Sequence, residues 1–466
     1  MKVVFRVLVA AGCFALLSLT CGFAPNPSHI NSLYIIVTAA PTYHPLAALQ
    51  GGERFPDGSH LLAVRDGVAT QLLPDFSASA DADVSFDGSS VLFSGKKSAS
   101  DPWQVWELTL SDRSVRRVVN SDSDAIRPFY LPGWRVVFAQ RSAGRFQLQS
   151  ARLIDSQAVD QIEGKGTPSV FPISFMQASA IPADVLTDGR ILFESKFPLG
   201  EGDSPELFLV YSDGSGLESY RCDHSPSARW GGRQLHSGDI VLTHGSSLAR
   251  FTSPLAHEEH LIAPRAEYAG AISETDSGDW LVSARSSSAA NYSLHLWRPG
   301  ELKLRPVIAR TGESLIDPVV VASRNRPRRH PSALHDWSYA NLLALDSRIS
   351  RDGNLKVAPV SVRLETQDAS GKPIAIGTAP VEPDGSFFVK APADRTIRFL
   401  LLDARGAVIR EEHGWFWIRR GEQRYCVGCH AGPEHAAENR VPQVLKRNTT
   451  PVDLTGGVHQ PESGGN

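Results

Sequence analysis

Short apolar strands recur along the first two-thirds of this chain, and a glycine-containing turn introduces most of them. Five segments share one order of positions: DVSFDGSSVLFSGKK, PFYLPGWRVVFAQRS, ADVLTDGRILFESKF, RQLHSGDIVLTHGSS and SETDSGDWLVSARSS. Their turn glycines are Gly88, Gly133, Gly189, Gly238 and Gly278, spaced by 45, 56, 49 and 40 residues. That interval holds four short strands, the content of one propeller blade. Connectors such as WQVWELTLSDRSVRRVV and YSLHLWRPGELKLRPVI alternate apolar and polar residues, as half-buried outer strands require. The pattern predicts an all-β chain with a β-propeller of about six blades over residues 30–325, and a partial match, RFPDGSHLLAVRDG, is expected to close the ring. Strands at this spacing are also compatible with a pair of β-sandwiches.

The rhythm changes at ASRNRPRRHPSALHDWSYANLLALDSRIS, where Arg324, Arg326, Arg328 and Arg329 crowd around two prolines. A second β unit follows over residues 326–412, its strands separated by ASGKP, EPDGS and DARGA, whose glycine pairs supply the backbone freedom of tight turns. Its length suits a small β-sandwich or an elaborated blade. Residues 413–456 form a third, short segment, and the Pro-, Thr- and Gly-rich tail over 457–466 is expected to be disordered.

Lys2 and Arg6 precede an apolar run from Val7 to about Thr20, the layout of a secretory signal peptide over residues 1–24. The run is short for a spanning helix and no later apolar stretch reaches that length, so export without an integral membrane segment is expected. Cys21 raises the question of lipidation, but Ser18, Leu19 and Thr20 make a poor lipidation site. The 466 residues carry 47 Lys and Arg against 50 Asp and Glu. This balance gives no broad positive field, which argues against a nucleic-acid partner.

Only Cys222, Cys426 and Cys429 remain beyond the signal region, too few for a disulfide framework. Cys222 reads as a small buried side chain. Cys426, Cys429 and His430 make C-x-x-C-H within RYCVGCHAGPEH, the attachment motif of haem c. Two thiols three positions apart can add across the porphyrin vinyl groups while the adjacent imidazole reaches the iron as proximal ligand. Export fits this chemistry, because bacterial covalent haem attachment takes place outside the cytoplasmic membrane. Zinc held by Cys426, Cys429, His430 and His435 is a competing use of the same residues, as is a simple disulfide or redox pair.

For the sixth iron ligand, Met176 is the one methionine after the signal region. The histidine candidates are His330 in the arginine-rich join, His335, His413 and His435, with His330 preferred; an open sixth position would favour ligand binding over electron relay. Trp415, Phe416, Trp417 and Tyr425 flank the motif and suit either porphyrin packing or ordinary strand packing. AHEEH at 256–260 imitates a zinc-protease motif, but His257 and His260 are three residues apart rather than four, and it reads as a solvated turn. Neither G-x-S-x-G nor H-E-x-x-H is present to support a hydrolase.

Asp87-Gly88 and Asp188-Gly189 resemble the signature turns of TolB-like propeller repeats. The order of propeller repeats, RHPSAL, GWFWIRRGEQRYCVGCH and AENRVPQVLKRNTTPVDLTG is similar to the hydrazine synthase alpha-subunit middle-domain family, over residues 60 to 456. That resemblance implies a propeller subunit holding c-type haem in a multihaem setting, with Cys426, Cys429 and His430 at the attachment motif. This chain departs from that setting in carrying a single C-x-x-C-H. The expected function is an exported monohaem c-type cytochrome that works with a redox partner protein, by electron transfer or by redox chemistry on a small inorganic ligand. A non-catalytic propeller scaffold with a structural haem or zinc site is the alternative.

Overall fold

Local hydrogen bonding explains why each blade begins as it does. The Asp87 carboxylate accepts from the Ser85 hydroxyl at 2.6 Å and from the Ser89 amide and hydroxyl at 3.0 and 2.8 Å, closing the turn between two strands. These bonds hold its pKa down at about 2. Gly88 completes the turn at φ 76° and Gly189 does the same at φ 89°. Where aspartate is replaced by serine, the backbone bond persists, from Gly238 to Leu235 and from Gly278 to Thr275, both at 2.9 Å.

The computed structural model describes residues 33–153, 170–196, 204–221, 227–350, 353, 355–412, 414–428, 440–447 and 449–456. Their strands form eight four-stranded sheets. Five are blades built from consecutive antiparallel strands, with inner strands Ala78–Val84, Ala125–Leu131, Ala180–Val185, Arg229–Gln234 and Glu267–Glu274. The sixth takes its inner strand, Ser314–Val320, from the far end of the ring and its outer three, Tyr34–Ala40, His60–Arg65 and Val68–Gln71, from the start. Counting this closing blade as the first, the six inner strands adjoin one another in a closed circle. RFPDGSHLLAVRDG does belong to the closing blade, but it leads into that blade's third strand rather than its second.

All six inner strands carry a bulge, and in five of them Asp81, Arg127, Gly231, Gly270 and Asp317 lie in the left-handed region at φ 52° to 72°. Three of these residues are not glycine, a strained choice, and they share one buried charge network on the ring axis. Arg54 pairs with Asp81 and, at 2.6 Å, with Asp317. Arg127 lies 3.7 Å from Glu194. Arg54 arrives on the long loop between the first two N-terminal strands, whose Ala48, Leu49 and Phe55 pack against Ala80, Ile126, Phe146 and Ile181 and plug one end of the channel.

Beyond the propeller, the sheets containing Tyr339–Ala344 and Phe387–Pro392, and Ser361–Gln367 and Ile397–Leu402, pack face to face around Leu342, Val389, Leu364 and Phe399. This is a sandwich rather than an elaborated blade. Two of its strands, Gln423–Cys426 and Val452–Asp453, come from the C-terminal segment and pair in parallel with Tyr339–Ala344 and Phe387–Pro392. The arginine-rich join crosses the propeller face. Arg324 donates to Asp83 at 2.8 Å, the Arg328 amide bonds Thr187, and His330 stacks on Tyr211 at 3.8 Å. A Cβ on Gly189 would stand 2.1 Å from the Arg328 carbonyl oxygen, so this crossing requires glycine there. Among the described residues no helix is long and apolar enough to cross a membrane.

Candidate functional site

Cys426 ends the strand Gln423–Cys426, which lies beside Tyr339–Ala344 with Cys426 opposite Ala344. Its carbonyl accepts from the Leu345 amide at 2.8 Å, fixing the strand's last residue. Side chains alternate along a strand, so Arg424 and Cys426 face one way and Gln423 and Tyr425 the other. Arg424 and Cys426 line a cleft between the sandwich and the fourth blade, whereas Tyr425 is 65% exposed.

The cleft contains about 1040 Å³ of empty space, its open mouth included. Leu342, Ala344, Phe387, Phe399 and Leu401 wall it from the sandwich, Phe208 and Leu217 from the blade, and Trp415 and Phe416 from the approach to the motif. Burial pushes the Cys426 thiol pKa up against the opposing pull of the Arg424 guanidinium, which keeps the thiol protonated at neutral pH. Arg424 also donates to the Leu217 carbonyl of the blade and lies 3.5 Å from Glu422. A thiol in a largely apolar cleft, with Arg424, Glu218 and Glu412 as the charged side chains on its lining, could carry a covalently attached porphyrin.

Trp417 and Arg419 also hold this wall to the propeller. Trp417 is fully buried, donates its indole N–H to the Gly214 carbonyl at 2.9 Å, and packs with Phe175 and Phe193. Arg419 donates to the Asp213 carbonyl and to Asp394 at 2.9 and 2.6 Å. Trp415 and Phe416 therefore face the cleft, while Trp417 belongs to the core of the fourth blade. Beyond the motif, Arg440 bonds Asp384 at 2.9 Å and Asp346 at 3.1 Å, tying the returning chain to the sandwich.

The other sequence candidates are dispersed. His330, against Tyr211, is outside the residues lining the cleft, and its Nδ1 is buried without a hydrogen-bond partner. Met176 is buried among Phe193, Val185 and Trp417 and lines a different cleft. His335 stacks on Trp337, and its Nε2 lies 2.9 Å from Gln423 Nε2, on the strand face opposite Cys426. Cys429, His430, His413, His435 and Cys222, with the signal segment 1–24 and the tail 457–466, lie outside the described residues. The indole bond of Trp417 and the charge network on the axis were not foreseen, since both join residues far apart in the chain.

Comparison with known proteins bears on the same region. Residues 352–431 match the hydrazine synthase alpha subunit middle domain. The matched span covers much of the sandwich and includes Cys426, Cys429 and His430. Among solved structures, Kuenenia stuttgartiensis hydrazine synthase is similar with a TM-score of 0.78 at 16% identity, over 89% of this chain and 72% of the other. The two share their fold over most of this chain. TolB from Acinetobacter baumannii has a TM-score of 0.43 at 14% identity, over 62% of this chain and 67% of its own. The β-propeller domain of the trilobed protease from Pyrococcus furiosus has a TM-score of 0.35 at 10% identity, over 55% of this chain and 88% of its own. No curated protein matches the chain in sequence.

Proposed function

We propose that this chain is an exported monohaem c-type cytochrome on a propeller scaffold, its haem c carried by Cys426 and Cys429 with His430 as proximal iron ligand. The position of Cys426 carries this reading: the first thiol of a C-x-x-C-H motif opens into a largely apolar cleft between two folded units. The match of this segment to the hydrazine synthase alpha subunit middle domain supports it. When bound, haem c would supply one-electron transfer or a binding position for a small inorganic ligand.

The chain's own residues have definable parts in this. Phe399, Trp415 and Phe416 exclude water from the cleft, which sets the polarity around a redox group. Arg424 is held by Leu217 and Glu422 and places a fixed positive charge beside the first thiol of the motif. Of the candidate sixth ligands, neither His330 nor Met176 lines the cleft, and His413 and His435 lie outside the described residues. Export and a redox partner protein belong to the same proposal and rest on the sequence.

The test is a pyridine haemochrome spectrum of protein made in a host with cytochrome c maturation, beside Cys426→Ser/Cys429→Ser. The expected result is a covalent haem in the parent that is lost in the variant, and a Soret shift when carbon monoxide is added to the reduced parent. Folded parent protein without haem would overturn the reading and turn attention to zinc.

A further inference from the structure

The stretch AHEEH, a solvated turn by its sequence, gains a partner in the fold that its spacing does not reveal. We propose that His244, Glu258 and His260 form a binding site for a divalent transition-metal ion, with Zn²⁺ the best match, on the outer part of the fifth blade. His244 ends the strand Ile240–His244, and His260 lies on the outermost strand, Glu259–His260. The blade's folding brings together groups that are 14 and 16 residues apart in the chain.

The ligand atoms of the three side chains all lie within 4.8 Å of one another. Glu258 Oε1 meets His244 Nδ1 in a short contact and lies 3.4 Å from His260 Nε2. Neighbouring ligand atoms on a tetrahedral zinc stand about 3.4 Å apart, given metal–ligand distances of about 2.0–2.1 Å. The second carboxylate oxygen, Oε2, accepts from Arg229 Nε at 2.6 Å, which orients the group and leaves Oε1 to the imidazoles. Arg229 is itself balanced by Glu206 at 3.3 Å, so its charge is not directed at the site alone.

A plain hydrogen-bonded corner would account for Arg229, Glu258 and His244. It does not call for a second imidazole at the same carboxylate oxygen, yet His260, 67% exposed, holds its Nε2 3.4 Å from Glu258 Oε1 and its ring centroid 5.0 Å from that of His244. Two imidazole nitrogens and one carboxylate oxygen with a face toward solvent are the donor set of a borderline divalent metal. Binding would pin the loop that ends at Glu258 to the body of the blade.

The experiment is calorimetric titration of Zn²⁺ into the full chain carrying Cys426→Ser/Cys429→Ser, which removes the other zinc-ligand thiols of the motif. One zinc per chain is expected, with affinity at least tenfold weaker in His260→Gln and in Glu258→Gln and unchanged in His257→Gln. Zinc should raise the unfolding midpoint of the parent and leave that of His260→Gln where it was. His260 is exposed, so its variant should fold even where Glu258→Gln does not. No zinc uptake by the parent, or equal uptake by His260→Gln, would overturn the proposal.

Discussion

Replacing Trp417 with alanine should loosen the wall that carries Cys426 from the fourth blade. The indole is wholly buried against Phe175 and Phe193, and truncating a buried large aromatic to alanine costs about 3–5 kcal/mol. Its N–H also satisfies the Gly214 carbonyl at 2.9 Å, and a buried acceptor left without its donor adds about 1–3 kcal/mol. These contributions overlap, because the cavity admits some relaxation and water, so a net loss of about 4 kcal/mol is expected. Trp417→Phe keeps most of the ring contact and loses only the hydrogen bond, so about 1–2 kcal/mol is expected for it. Urea unfolding followed by circular dichroism reads both values, with Tyr425→Ala, an exposed neighbour on the same segment, as control. A Trp417→Ala loss below about 1 kcal/mol, or equal losses for Ala and Phe, would refute the argument that this side chain joins the two units.

Arg54→Met should cost about 3–5 kcal/mol, since it leaves Asp81 and Asp317 buried without their cation; urea unfolding at neutral pH checks it. Burial pushes the Asp317 carboxyl up, but Arg54, Arg127 and the Ala271 amide outweigh it and hold the pKa at about 2. A depressed carboxylate contributes stability above its unfolded value near 3.8 and loses it as pH falls toward 2. The parent should therefore lose about 2 kcal/mol more than Asp317→Asn between pH 5 and pH 2, measured as the difference in unfolding midpoints across that range. Gly421→Ala should destabilise the protein by more than about 2 kcal/mol. Gly421 has φ 74°, and a Cβ there would stand 1.8 Å from the His335 carbonyl oxygen. Thermal unfolding of this variant beside Gly406→Ala, also at positive φ but in open space, separates the clash from the backbone strain.

The parts of this molecule legible in its sequence are those set by neighbouring residues. Asp87-Gly88 and Asp188-Gly189 announce their turns because the carboxylate bonds and the left-handed glycine lie within four residues. Six blades follow from counting such turns. The closing blade was harder, since its inner strand and its outer three come from opposite ends of the ring and no local pattern marks that exchange. Cys426 was legible as a candidate through its motif, whereas the cleft it faces needed Phe208 and Leu217 from a blade two hundred residues earlier. Trp415 and Trp417 look equivalent in sequence, and only the docking of the sandwich separates a cleft wall from a core side chain. His244 gave no signal at all, because its partners arrive from a strand that pairs elsewhere.

The exchange of strands in the closing blade works as a latch. Joining Ser314–Val320 to Tyr34–Ala40 closes a loop of roughly 280 residues, an entropic burden of about 5 kcal/mol by chain-closure scaling. That burden falls on a single seam, while every other blade assembles from strands adjacent in the chain. The seam should therefore be the last part of the ring to form and the first to part. The strand that swings away when it parts leads directly into the join that reaches His330 and the sandwich. Opening the ring would slacken the tether of the Cys426 wall from a distance along the chain. In native-state hydrogen exchange, Tyr34–Ala40 and Ser314–Val320 should release their amides together, ahead of the inner strands of the other five blades.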